Sequence, residues 1–131
     1  MTAQEQTIVD LVNQQRAQAG LAPLQVSPQL VEEAHIQSTD MAEIGVMAHV
    51  LPGAALPTPE SRAQYVGYNY SYLGENIAFN YPDDNSVMTA WMNSSDHRAN
   101  ILDPSYTQIG VGIAYDSQGE PYYTQEFGQP A

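Results

Sequence analysis

Three histidines, His35, His49 and His97, are the residues best suited to metal binding or acid–base chemistry near neutral pH in this chain of 131 residues. The chain has no cysteine, which excludes disulfides, thiolate ligands and a cysteine nucleophile. No His-Glu-x-x-His pattern places two histidines on one helix face. A site that combines these side chains must therefore be assembled by the fold.

Nucleophilic serine catalysis has little support in the sequence. Ser71, Ser94 and Ser95 lie outside any Gly-x-Ser-x-Gly turn, and a pairing of Ser94 with His97 has no evident third residue or oxyanion hole. Neither a phosphate-binding loop nor a dinucleotide fingerprint is present. The chemistry available therefore rests on histidine and carboxylate side chains.

The charge of the chain limits its partners. Three arginines, no lysine and 15 acidic residues give a net charge of −12. Such a field repels nucleic-acid phosphates and anionic lipid head groups, so we expect no nucleic-acid partner, whereas a cation, a neutral sugar or a lipid is compatible. No apolar run reaches the ~20 residues of a membrane span, and residues 1–6 lack the basic and apolar regions of a signal peptide.

Hydrophobic periodicity predicts mostly helices in the first two thirds of the chain. One helix is predicted over 5–18, and a second starts at Ser27-Pro28 and ends at Gly45. A third helix, capped by residues 83–86, follows a predicted strand at 75–79. The connections between these elements are rich in proline or glycine, which favours loops, and residues 61–64 are predicted to form a short helical turn.

The last third of the chain predicts a β-hairpin. Residues 108–115 alternate, with Gly110 and Gly112 on one face, which indicates that a helix packs closely there. A turn at 116–119 leads into a partner strand at 121–127. Helices followed by strands predict an α+β fold, and residues 1–131 read as one domain without repeat or linker.

Six segments resemble one known family, in the order in which that family has them. The two most specific are Gly-Glu-Asn-Ile-Ala at 74–78 and His-Arg-Ala-Asn-Ile-Leu at 97–102. The other four are residues 12–16, 21–24, 38–42 followed by His49, and 123–128. Together they resemble the CAP superfamily of cysteine-rich secretory proteins, antigen 5 and pathogenesis-related 1 proteins, also called SCP-like domains, in its cysteine-free bacterial branch. The resemblance implies a three-layer α-β-α sandwich and an extracellular, secreted protein.

The resemblance also implies a site. Family members bring two histidines and one or two glutamates together in an open cleft, and the matching residues are His49, Glu75 and His97. Two imidazoles and a carboxylate leave a fourth position open, which suits Zn²⁺ or another divalent cation, with Glu75 as ligand or as base. The family's second glutamate corresponds here to Ser94, which removes one anionic ligand. Two interpretations stay open: reversible metal binding, and a buried His–Glu–His hydrogen-bond network without metal.

Other residues are weaker candidates for a ligand cleft. Ser94, Arg98 and Tyr72 lie in or near the motifs, and Arg98 is interpreted mainly as a buried ion pair or a capping residue. The tyrosines of 65–72 form either an aromatic wall for a ligand or ordinary packing. Glu126 is not expected to replace the missing glutamate, because its position is usually apolar in the family.

Two further groups have structural interpretations. We expect His35, in the second helix, to be a packed or solvent-facing residue. Asn76 and Asn100 are predicted to fix turns by bonding to backbone groups.

Three functions are compatible with these residues. The first is an extracellular binding module, metal-responsive, with a lipid, sterol-like or cell-wall ligand. The second is a zinc-dependent hydrolase of the peptidase type, and the third is a structural domain in which the triad only stabilises the cleft. The sequence leaves open whether the chain is an enzyme, and we expect a monomer.

Overall fold

The computed structural model describes residues 1–131 as five helices around a four-stranded sheet. The strand order is β1-β3-β4-β2, with β1 parallel to β3 and the other pairs antiparallel, so β2 lies at an edge. None of the helices has the length and apolar character needed to cross a membrane. The elements are α1 Ala3–Gln18, β1 Gln25–Val26, α2 Pro28–Ile44, α3 Pro59–Tyr65, β2 Tyr70–Phe79, α4 Asp84–Met92, α5 Ser95–Ile101, β3 Gln108–Tyr115 and β4 Pro121–Pro130.

Helix α2 covers one face of the sheet at very close range. A Cβ atom at Gly110 would collide with the backbone of Leu30, and one at Gly112 would collide with the backbone of Ala34. The predicted close helix packing on the glycine face of β3 is therefore confirmed, and α2 provides this contact.

Helices α1, α4 and α5 form the layer on the opposite face. The largest apolar cluster of the protein fills this space, and it includes Ile8, Trp91, Val111, Tyr123 and Phe127. Burial of such side chains contributes on the order of 1.5–3 kcal/mol each to folding. The two helical layers and the sheet between them confirm the expected α-β-α sandwich.

The helix boundaries follow from capping side chains. The hydroxyl of Ser27 accepts a hydrogen bond from the backbone N–H of Leu30 at the start of α2, and Gly45 ends that helix at φ +79°. A carboxylate oxygen of Asp83 accepts from the N–H of Ser86 at the start of α4. These three predicted boundaries are confirmed.

Two elements were not predicted from the sequence, and one strand is longer than expected. Helix α5 buries only Ile101, so it has no apolar stripe to reveal it. Strand β1 has only two residues. Strand β2 begins at Tyr70 and not at residue 75. Its first half was not predicted, because the side chains there are exposed or only half-buried.

Candidate functional site

The edge of β2 is covered by side chains of α4 and α5. The indole N–H of Trp91 donates to the carbonyl of Ile77 at 3.1 Å, and the Asn100 amide donates to the carbonyl of Glu75 at 3.4 Å. These bonds satisfy backbone acceptors that an edge strand otherwise offers to another chain. Helices α4 and α5 therefore cover residues 75–77 and are hydrogen-bonded to them.

Helix α5 is held against β2 by two asparagines. The amide of Asn76 donates to the carbonyl of His97 at 3.1 Å, and the amide of Asn100 donates to Oδ1 of Asn76 at 2.9 Å. The prediction that these asparagines bond to backbone groups is confirmed, but they connect two elements instead of fixing turns. The consequence is that His97 is positioned directly above β2.

Glu75 lies at the centre of the site. Its Oε1 is 2.8 Å from Nδ1 of His49, and its Oε2 accepts from Nη2 of Arg62 at 3.1 Å. Burial raises the pKa of Glu75, but hydrogen bonds from Glu126 and His49 and the charge of Arg62 outweigh it and lower the pKa overall. Glu75 is therefore ionised, and Nδ1 of His49 carries the hydrogen.

Arg62 is the buried cation that fixes this arrangement. Its side chain is fully buried, and besides Glu75 it donates to the carbonyls of Leu56 at 3.2 Å and His49 at 3.0 Å. Arg62 thereby joins α3, the loop that carries His49, and strand β2. Its role was not predicted from the sequence, since nothing in the local pattern of a seven-residue helix indicates a buried charge.

His97 enters the site from α5 and is held by its own helix. Its Nδ1 lies 2.9 Å from the hydroxyl of Ser94, the N-cap residue, whose side chain makes no capping bond. Burial lowers the pKa of His97, and the neighbouring His49 lowers it further, while Asp96 opposes both effects. His97 thus lies near His49 without a direct hydrogen bond to His49 or Glu75.

A second group of carboxyls lies behind Glu75. Glu126 stands opposite Glu75 in the register of β2 and β4, and Glu33 reaches the same place from α2. Oxygen atoms of the three residues lie within 4.8 Å of one another. Both Glu33 and Glu126 are fully buried, and no donor in the protein reaches their oxygens. Three carboxyls therefore share one buried space with a single arginine.

The environment raises the pKa of two of these carboxyls, those of Glu33 and Glu126. Burial, together with the charge of Glu75, raises the pKa of Glu33 to about 8, although Arg62 acts against this. Burial and the same neighbouring charge raise the pKa of Glu126 well above its ordinary value. In its protonated form, Glu126 can donate a hydrogen bond to Glu75, since oxygen atoms of the two residues lie within 4.8 Å of each other.

The sequence contains a signal that could have revealed these two residues. Glu33 falls on the buried stripe of α2 that also contains Leu30 and Gln37, and Glu126 falls on the same strand face as Thr124. An ionisable residue on a buried face is rare without a partner or a role. The low expectation for Glu126 rested on family resemblance and missed its contact with Glu75.

The remaining candidates lie outside this arrangement. Arg98 is exposed and forms no ion pair or side-chain hydrogen bond, so the expected buried or capping role belongs to Arg62 instead. Tyr72 is 55% exposed and makes no side-chain hydrogen bond. His35 is half-exposed and bonds to Glu5 at 2.7 Å, in agreement with its expected packing role.

Two adjoining cavities open along β2. One, of about 280 Å³, is mostly apolar and has His97 and Ser94 in its wall. The other, of about 330 Å³, has His49 and Glu75 in its wall. The two histidines therefore line neighbouring cavities, and they are close enough for the charge of His49 to affect His97.

The comparison of the sequence with family models decides the family. The model of the cysteine-rich secretory protein family, CAP, matches residues 9–127. The chain belongs to the CAP family. The match includes the segments that hold His49, Glu75 and His97, and it confirms the resemblance found in the sequence motifs.

Two similar proteins come from Bacillus subtilis (strain 168). YkwD is 38% identical over 127 residues, which cover 97% of this chain and 48% of YkwD. The membrane protein YlbC is 35% identical over 126 residues, which cover 96% of this chain and 34% of YlbC. The chain thus spans less than half the length of these relatives.

Solved structures confirm the CAP fold. An extracellular protein containing an SCP domain from Bacillus anthracis aligns with a TM-score of 0.88 at 32% identity, over 96% of this chain and 40% of that protein. An outer surface protein from Borrelia burgdorferi aligns with a TM-score of 0.87 at 20% identity, over 96% of this chain and 92% of that protein. The second likeness shows the fold alone.

Proposed function

We propose that this CAP domain is an extracellular binding module whose cleft takes a divalent cation, Zn²⁺ in the first instance, on His49 and His97. The observation that carries the proposal is the state of the two imidazoles. Each places Nδ1 in a side-chain hydrogen bond, at 2.8 Å to Glu75 and 2.9 Å to Ser94, and neither Nε2 has a hydrogen-bond partner. A histidine whose second nitrogen is held by a carboxylate or hydroxyl is oriented as in protein metal sites.

Glu75 has an orienting role in this proposal. Its two oxygens already contact His49 and Arg62, so the carboxylate fixes the tautomer of His49 instead of occupying a coordination position. This differs from the three-ligand set that the family resemblance implied. A Zn²⁺ ion on two imidazoles leaves open positions for a ligand or water and would polarise whatever oxygen binds there.

The same contacts favour binding over hydrolysis. A general base works best with a pKa near the working pH, whereas hydrogen bonds and Arg62 lower the pKa of Glu75. Ser94 does contact His97, but no carboxylate bonds to that histidine to complete a triad. A binding module requires neither a base nor a nucleophile.

Relatives supply supporting context. NaASP2, solved with Zn²⁺, shares the fold at a TM-score of 0.70 and 13% identity. The Bacillus anthracis relative is described as extracellular and the Borrelia burgdorferi one as an outer surface protein. These descriptions support an extracellular location, where a lipid, sterol-like or cell-wall ligand would be available.

Zinc titration by calorimetry near neutral pH tests the proposal. We expect saturable one-to-one binding by the wild type, loss of binding in His49→Ala/His97→Ala, and unchanged binding in the control His35→Ala. Circular dichroism would establish that each variant is folded. Binding that survives in the double variant, or that disappears in the control, would show that the two cleft histidines do not form the site.

A further inference from the structure

The two cavities lie next to each other along β2. The apolar cavity is lined by residues 77–79 of the strand, and the second cavity by residues 73–75. Only Asn76 separates these stretches, and the distance from Gly74 to Ala78 is about 13 Å at roughly 3.3 Å per residue. A single small molecule can therefore reach from one cavity into the other.

The apolar cavity suits a hydrocarbon group. Phe79, Tyr81 and Trp91 supply aromatic walls, and Met47 lies at the opening with 50% of its surface exposed. The polar residues of the lining are Ser94 and His97. An alkyl chain or aromatic ring that entered this space would remove apolar protein surface from water.

The second cavity suits a positive charge, and we name it the acidic cavity. Glu60 and Glu75 line it, and Glu60 is exposed and belongs to no salt bridge. Arg62 balances the charge of Glu75 from behind and does not line the cavity. No arginine lines either cavity and the chain has no lysine, so its net charge of −12 adds to the attraction for cations.

We propose that the apolar and acidic cavities together bind a small amphipathic cation, an alkyl chain or aromatic ring that carries an alkylammonium group. The hydrocarbon occupies the apolar cavity, and the ammonium lies beside Glu60 and Glu75. The inference rests on the binding function proposed for the cleft and names the ligand class. An added peptide strand fits less well, because the carbonyls of Glu75 and Ile77 already accept hydrogen bonds from Asn100 and Trp91.

A matched set of three probes tests the ligand class. Octylamine, octanoate and butylamine would be titrated by calorimetry into the metal-free full chain. We expect saturable binding of octylamine and at least about tenfold weaker binding of the other two, because octanoate reverses the charge and butylamine lacks most of the chain. Equal binding of octylamine and octanoate would overturn the proposal, as would the absence of saturable octylamine binding.

Exposed positions allow each cavity to be altered without disturbing the core. Glu60→Gln should weaken octylamine binding about tenfold, and Met47→Ser should weaken it by about threefold to tenfold. The control Glu43→Gln makes the same charge change at an exposed position that lines neither cavity. If Glu43→Gln weakened binding as much as Glu60→Gln, the attraction would be a general effect of the acidic chain and the proposed site would be wrong.

The zinc titration separates this inference from the function on which it rests. Zinc binding without octylamine binding would overturn the ligand class and leave the metal proposal intact. Octylamine binding with the expected effects of Glu60→Gln and Met47→Ser would support the ligand class even if zinc did not bind.

Discussion

Two glutamate–histidine pairs in this protein have nearly the same geometry. Glu5 bonds to Nε2 of His35 at 2.7 Å, and Glu75 bonds to Nδ1 of His49 at 2.8 Å. In both pairs the glutamate side chain is buried, at 1% and 4% exposed, and the histidine is about half-exposed, at 42% and 50%. The pair itself is therefore not what distinguishes the candidate site.

The surroundings of the two pairs differ. Glu5 also accepts hydrogen bonds from the backbone N–H groups of Thr2 and Ile113, at 2.8 Å and 2.9 Å, so it joins the start of α1 to β3. Glu75 instead contacts a buried arginine and lies among two further carboxyls, beside a second histidine. The cavity beside His35, of about 550 Å³, has no second histidine in its lining. The first pair completes the backbone bonding of the fold, whereas the second lies in a cluster of titratable side chains next to two cavities.

Removing the buried arginine should have the largest effect on stability. Arg62→Met leaves Glu75 without its cation and Glu33 and Glu126 without the charge that opposes their repulsion. We expect a loss of about 3–5 kcal/mol in the free energy of unfolding, measured by urea denaturation. The exposed Arg98→Met serves as control and should change stability by less than about 0.5 kcal/mol. A loss below about 1 kcal/mol for Arg62→Met would show that the cluster is not held by this cation.

The contributions of Glu33 and Glu5 to the stability of the folded state should change with pH in opposite directions. The pKa of Glu33 is raised from 4.5 to about 8, so the folded state holds this proton more tightly than the unfolded state. Its contribution is complete below pH 4.5 and is lost as the pH rises through about 8. The urea concentration at the unfolding midpoint should therefore decrease as the pH rises from 4.5 to about 8. Glu33→Gln should make this midpoint depend less on pH.

Glu5 provides the contrasting case. Burial raises its pKa, but hydrogen bonds from Thr2, His35 and Ile113 outweigh this and lower the pKa below 4.5. Its stabilising contribution is present above pH 4.5 and is lost on further acidification, so Glu5→Gln should alter only the acidic end of the profile. Identical pH profiles for Glu33→Gln and Glu5→Gln would remove the distinction between the two regions.

The histidines themselves should differ by a smaller amount. His49→Ala leaves Oε1 of Glu75 without its donor, for which we expect a loss of about 1–3 kcal/mol. His35→Ala should cost about 1 kcal/mol or less, because backbone N–H groups still bond to both oxygens of Glu5. Thermal and urea unfolding of the two variants side by side provide the measurement. A larger loss for His35→Ala would reverse the ranking that the surroundings predict.

The smallest effect is expected at Tyr72. The side chain is 55% exposed and makes no hydrogen bond, so Tyr72→Ala should change stability by less than about 0.5 kcal/mol. Zinc affinity should also stay within error of the wild type. A clear loss of zinc affinity would place Tyr72 in the site, although the sequence predicted it only as a candidate for the ligand cleft.

Local patterns allowed much of the fold to be predicted. Gly110 and Gly112 alternate along β3, and their small face indicated the close approach of α2 before the structure showed it. The helix N-caps at Ser27 and Asp83 could likewise be predicted from the residue types at these positions. The motifs that contain Glu75 and His97 also led to the correct family.

The parts that were missed depend on contacts between distant elements. Arg62 and Glu33 lie 29 positions apart on different helices, and Glu126 comes from the last strand, so their shared burial is visible only after folding. Helix α5 was missed because its position relies on bonds from Asn76 and Asn100 instead of an apolar face. The candidate residues His49, Glu75 and His97 therefore came from the family resemblance of the motifs, whereas the buried charges around them could not be predicted from local patterns.

Nitrogen-resolved NMR of the three imidazoles, recorded before and after one equivalent of Zn²⁺, tests the central claim most directly. We predict that the Nε2 resonances of His49 and His97 shift on zinc addition, that Nδ1 of His49 keeps its hydrogen, and that both nitrogens of His35 stay unchanged. Shifts confined to His35, equal shifts at all three histidines, or no shift at His49 and His97 would contradict the claim that the second pair, unlike the first, forms a metal-responsive site.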